Sequence, residues 1–227
     1  MALSRGPKIV TDGLVLCLDA ADKKSYSGSG TTWYDRSGND YDGTLINDPT
    51  FSDANGGCLV FDGVDDSVSF SATKTADCTF SCWAKTTEAT VAEMSDMLFN
   101  AGSNNFGPDL YFASSRISWN IWNGTTNYFC ATPSLVGNGN YHNYCVICDS
   151  STDLATLYID GVLYGTADHT STYQTRLTNN TDFYIGGSPS NYNWKGSISE
   201  FKMYNKTLSF SEVLQNFNAM KSRFGIT

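Results

Sequence analysis

The chain has 227 residues, a length at which a β-sandwich or barrel still folds as one domain. Charged residues make up only 16%, while Gly (20), Tyr (13) and Phe (13) are abundant, a mixture that suits twisted strands joined by tight turns. A formal net charge of −9 leaves no basic stripe to neutralise phosphates, so neither a nucleic-acid partner nor an anionic membrane surface is expected.

Residues 1–12 read as an extended N-terminal arm and residues 13–227 as the domain itself. The opening Met-Ala-Leu-Ser-Arg-Gly-Pro-Lys8 has no apolar h-region, so no secretory leader is expected. No apolar run approaches the roughly 20 residues that span a bilayer.

Short apolar or alternating runs bounded by Gly, Asn, Asp and Ser then follow one another. They are Leu14–Leu18, Cys58–Phe61, Ser67–Phe70, Cys78–Ala84, Met97–Asn100, Leu110–Ala113, Ile117–Trp122, Tyr144–Cys148, Ala155–Ile159, Asp182–Ile185 and Ile198–Tyr204. About eleven strands with almost no helical periodicity between them predict an all-β, two-sheet antiparallel sandwich rather than βαβ units. Asp160-Gly161, between Leu157-Tyr-Ile159 and Val162-Leu-Tyr164, predicts a two-residue hairpin, because both central residues tolerate positive φ. The one helix expected is C-terminal, about 209–221. There Ser209-Phe-Ser-Glu212 has capping-box spacing, and Val213, Leu214, Phe217 and Met220 share a face that packs on the sandwich.

The seven cysteines are Cys17, Cys58, Cys78, Cys82, Cys130, Cys145 and Cys148, an odd number set mostly in apolar runs. Zinc is disfavoured: i,i+4 thiols on a strand stand about 13 Å apart, and i,i+3 thiols face opposite ways. Buried thiols made in a reducing compartment account for the set.

Several phrases, in order, resemble the laminin-G-like jelly rolls of the concanavalin A-like lectin and glucanase superfamily. They are Gly13-Leu-Val-Leu-Cys-Leu-Asp-Ala20, Trp33-Tyr-Asp-Arg-Ser-Gly38 with Asp42-Gly-Thr-Leu45, Leu59-Val-Phe-Asp-Gly-Val-Asp-Asp66, Phe80-Ser-Cys-Trp-Ala84, Leu157-Tyr-Ile-Asp-Gly-Val-Leu163 and Trp194-Lys-Gly-Ser-Ile-Ser-Glu-Phe-Lys-Met-Tyr204. The resemblance implies a jelly roll. The closing Tyr204–Gly225 stretch is similar to the tail of structural proteins of tailed phages, marine ones especially. It implies a virion protein, a capsid decoration or tail-fibre component. Its partners would be other virion proteins and host-surface glycans, in an oligomer or lattice, with the virion as its location.

Glucanases of this superfamily carry Glu-x-Asp-x-x-Glu on one strand, two carboxylates that flank the scissile bond. That motif is absent, and the four glutamates are Glu88, Glu93, Glu200 and Glu212. No Gly-x-Ser-x-Gly, His-Glu-x-x-His or Gly-x-x-x-x-Gly-Lys occurs either, so no enzyme and no required cofactor are expected. His142 reads as a packing or hydrogen-bonding residue.

Asp62, Asp65 and Asp66 gather hard oxygens around a Gly-containing turn, a set that suits a metal-free turn of self-bonding aspartates first and Ca²⁺ as the alternative. Sugar recognition needs an exposed aromatic face with amide or carboxylate neighbours. In Ile117-Ser-Trp-Asn-Ile-Trp122, Trp119 reads as buried and Trp122 as the platform. Asn104, Asn105, Phe106 and Asp109 from one loop, and Tyr192 and Asn193 from another, are expected around it. Trp33 and Trp194 read as packing residues. The leading expectation is a non-catalytic virion protein displaying a lectin-like jelly roll; the alternatives are a free-standing lectin and, last, a glycoside hydrolase.

Overall fold

The computed structural model describes residues 7–73, 75–86, 96–100, 108–113, 116–122, 127–131, 138–168, 182–187 and 192–227. They form two antiparallel sheets. The first runs β14 (Val162–Asp168), β13 (Leu154–Ile159), β12 (His142–Asp149), β7 (Cys78–Lys85), β16 (Lys195–Tyr204), β5 (Cys58–Asp62) and β4 (Thr50–Ser52), with β1 (Leu14–Asp19) also paired to β16. The second runs β11 (Asn127–Ala131), β10 (Arg116–Trp122), β9 (Pro108–Ala113), β8 (Asp96–Asn100), β15 (Asp182–Ile185), β6 (Ser67–Ser71), β3 (Gly43–Ile46) and β2 (Thr32–Trp33).

All eleven expected strands form, and the two-sheet antiparallel jelly roll is as the sequence predicts. Five further strands, β2, β3, β4, β11 and β14, complete the sheets, β14 as the second arm of the predicted hairpin. β2 and β4 have two and three residues, too few to show a period of two. In the hairpin both Asp160 (φ 52°) and Gly161 (φ 75°) take positive φ, which matches the twist of the flanking strands.

The core lies between the sheets, where every second side chain of each strand turns inward. Leu16, Leu18, Trp33, Leu59, Phe61, Val68, Phe99, Trp119, Phe183, Ile185, Ile198, Phe201 and Met203 fill it. Aromatic contacts line and cross it, with Phe70 and Phe183 stacked at 4.8 Å within the second sheet and Phe99 and Phe201 at 4.9 Å between the sheets. Burying one such side chain stabilises the fold by about 1.5–3 kcal/mol. Trp33, Trp119 and Trp194 are fully buried, as their sequence context predicts.

α1 (Phe210–Met220) begins at Ser209, whose hydroxyl accepts from the Glu212 backbone N–H while Glu212 accepts from that of Ser209. Its buried residues are Val213, Asn216 and Phe217. It covers the outer face of the first sheet, where Phe217 and Phe224 stack on Trp83 with centroids at 5.7 and 4.3 Å. Residues 8–10 pack against the same helix. Val10 is buried, its backbone N–H donates to Asn216 Oδ1 at 2.8 Å, and Gln215 Nε2 donates to the Lys8 carbonyl.

Helix coverage seals a polar layer. Glu200 and Lys202, on the helix-facing side of β16, are only 2% and 1% exposed, with Lys202 Nζ 2.5 Å from Glu200 Oε2. Burial pushes the Glu200 carboxyl above its usual range, and the Lys202 charge opposes that rise. Cys17 pairs with Lys202 in register, and burial raises its thiol to about 12. Cys17, Cys58, Cys78, Cys82, Cys145 and Cys148 are all buried thiols, as expected.

Candidate functional site

A groove of about 530 Å³ opens on the outer face of the second sheet, across β3, β6 and β15 and under the loop that precedes β3. Its floor follows from strand alternation. Val68, Phe70, Phe183 and Ile185 point into the core, so Ser69, Ser71, Asp182 and Tyr184 point out. Register sets them side by side, with Thr44 opposite Ser69, Ser69 opposite Tyr184 and Ser71 opposite Asp182. The Ser71 hydroxyl donates to Asp182 Oδ1 at 3.0 Å.

Asp40, Tyr41 and Asp42 supply one wall. Buried Asp35 shapes that loop. Its Oδ1 accepts from the Cys17 and Ser37 backbone N–H groups at 2.8 Å, and its Oδ2 accepts from the Ser37 hydroxyl and the Tyr41 N–H. The Asp35 N–H in turn donates to Asp42 Oδ1 at 2.8 Å, which fixes the carboxylate at the rim. Two phenol rings, three hydroxyls and three carboxylates therefore share one concave surface, the combination that binds polyhydroxylated ligands.

For the predicted sugar site the described residues show only the strand positions and neighbours of some members. Asn104, Asn105 and Phe106 lie outside the described residues. Trp122 ends β10 opposite Asn127, and Asp109 sits in β9 opposite Asn120 and Asn100; their side chains are also outside the description. Asn193 is buried, and its side-chain amide donates to the Val64 carbonyl, with half-buried Tyr192 beside it. Asn193 thus braces the Asp62–Asp66 turn.

In that turn Asp62, Asp65 and Asp66 each offer a carboxylate oxygen within 4.8 Å of the others. Asp62 Oδ1 accepts from the Val64 N–H at 2.7 Å, and Asp66 Oδ2 from the Asp62 N–H at 2.9 Å. Asn47 Nδ2 ties the Asp65 carbonyl at 3.0 Å. Burial first, and then the charges of Asp62, Asp65 and Asp48, raise the Asp66 carboxyl above its usual range. The remaining oxygens suit a hard cation, whose charge would relieve that repulsion. The self-bonding aspartate turn is equally present.

A second cleft, about 440 Å³, lies where α1's following turn meets the first sheet, lined by Lys85, Tyr141, His142, Asp160, Phe224 and Ile226. His142 is the hydrogen-bonding residue expected, with Nδ1 2.6 Å from Asp160 Oδ2 and Nε2 3.2 Å from Asn138 Oδ1. Of the glutamates, Glu200 is locked to Lys202 and Glu212 caps α1, so both serve the scaffold. Glu88, Glu93 and His169 lie outside the described residues.

The sequence did not single out the groove. Its signal was the polar half of the alternation in Ser67-Val-Ser-Phe-Ser71 and Asp182-Phe-Tyr-Ile185, legible only once the two strands are known to be neighbours.

Residues 62–214 match the concanavalin A-like lectin/glucanases superfamily, and the chain belongs to it. The binding domain of botulinum neurotoxin serotype D has the same fold, with a TM-score of 0.72 at 13% identity over 92% of this chain and 52% of that one. The binding domain of the Paraclostridial Mosquitocidal Protein 1 gives 0.72 at 16% identity over 92% and 52%. That of botulinum neurotoxin DC, solved with rat synaptotagmin II, gives 0.74 at 13% over 93% and 52%. The chain thus spans about half the length of these solved chains. No relative matches among curated proteins.

Proposed function

We propose that the protein is a non-catalytic binding module that holds glycans in the outer-face groove of its second sheet, displayed on a virion as a capsid decoration or fibre component. The observation that carries the glycan reading is the groove itself, where Tyr41 and Tyr184 stand beside Asp42, Asp182 and Ser71 on a three-stranded floor. A solved chain of botulinum neurotoxin type C, whose cell entry depends on interaction with two ganglioside molecules, contains this fold over 52% of its length. The virion reading rests on the Tyr204–Gly225 resemblance to tailed-phage structural proteins and on buried thiols suited to synthesis in a reducing compartment. Weak sites gain avidity when a lattice or fibre multiplies them. Ca²⁺ at Asp62, Asp65 and Asp66 would brace the turn next to Asn193.

Glycan-array binding tests the first part. A signal lost in Tyr184→Ala and kept in Trp122→Ala supports the groove, and the reverse moves the site to β10. Sugar release that disappears in Asp182→Asn would replace the non-catalytic reading with a hydrolase. Antibody-labelled negative-stain imaging tests the second part. Labelled particles support a virion component, whereas label confined to lysate leaves a free-standing lectin.

A further inference from the structure

Resting on the groove as the glycan site, we infer that its ligand is cationic, a sugar with an unsubstituted amino group, and that acidic glycans are excluded. Asp40, Asp42 and Asp182 line the groove, and none of its described lining residues is basic. Among the described residues no cation pairs with these carboxylates. Asp182 Oδ1 accepts from the Ser71 hydroxyl and Asp42 Oδ1 from the Asp35 backbone N–H, both uncharged donors. Net charge of −9 over the chain adds a field of the same sign.

A sialylated, sulfated or uronic sugar would bring a further anion to this surface without a partner. An ammonium group on a pyranose meets the opposite situation. It pairs with the carboxylates and can lie over the Tyr41 or Tyr184 ring, while Thr44, Ser69 and Ser71 serve the sugar hydroxyls. The carboxylates stand at the rim and remain hydrated, so each pair adds modestly and the sum amounts to about tenfold in affinity.

The test is calorimetric titration at low salt with three probes: a fully deacetylated glucosamine tetramer, the N-acetylglucosamine tetramer and sialyllactose. The deacetylated tetramer should bind about tenfold tighter than its acetylated form, with sialyllactose weakest. The preference should shrink to a few-fold in Asp182→Asn and fade toward about 0.5 M NaCl, where screening length falls to a few ångströms. Asp53→Asn, exposed and outside the groove, should leave it intact.

Equal or tighter binding of the acetylated or sialylated probe, abolished by Tyr184→Ala, overturns the cationic specificity while the groove stands. Binding by no probe, or binding indifferent to Tyr184→Ala, removes the groove and the specificity together. Equal weakening by Asp53→Asn and Asp182→Asn would reduce the preference to bulk charge and overturn it as well.

Discussion

Replacing Lys202 by Met should destabilise the fold far more than its conservative volume suggests. Lys202 and Glu200 are 1% and 2% exposed and 2.5 Å apart, sealed between the first sheet and α1. Met keeps the packing and removes the charge, which leaves a buried carboxylate without its cation. Breaking a buried pair in this way costs about 3–5 kcal/mol. At roughly 2–4 °C per kcal/mol for a chain of this size, Tm should fall by about 6–20 °C near neutral pH. The pH dependence has a definite sign. Burial already raises the Glu200 carboxyl above its ordinary 4.5, and losing Lys202 raises it further. A raised folded-state value means the penalty is least below 4.5, where both states hold the proton, and grows as pH rises through the folded value. The Tm gap between wild type and Lys202→Met should therefore narrow on acidification. The double variant Glu200→Gln/Lys202→Met, which buries no charge, should recover most of the loss. Calorimetry or urea unfolding reads all three. A Lys202→Met cost under about 1 kcal/mol, or a double variant no more stable than the single one, would refute the argument.

Three further outcomes follow from the same structure. Phe217→Ala, which unstacks the helix from Trp83, should cost about 3 kcal/mol in urea unfolding, and Ser209→Ala, which removes the cap, about 1 kcal/mol. If the Asp62–Asp66 turn takes Ca²⁺, saturating calcium at about 100 times Kd should stabilise the protein by about 2.7 kcal/mol. Asp65→Asn should abolish that gain in a thermal melt with and without chelator, and an unchanged gain would place the ion elsewhere.

Local chemistry made most elements legible. Alternation marked the longer strands, the positive-φ pair Asp160-Gly161 marked its hairpin, and the Ser209–Glu212 box marked the start of α1, because each acts over a few residues. Tryptophans flanked by apolar neighbours, Trp119 above all, were readable as core for the same reason. Tertiary structure alone decided which polar faces meet. Ser71 and Asp182 are 111 positions apart, and only the β6–β15 register brings them to one groove. Asn193, expected beside a sugar, braces the Asp62–Asp66 turn, since its partner Val64 is distant in sequence. Glu200 and Lys202 alternate along β16 as a solvent-facing strand would, yet α1 covers them. Alternation tells which residues share a face; what lies on that face is decided by the packing of distant segments.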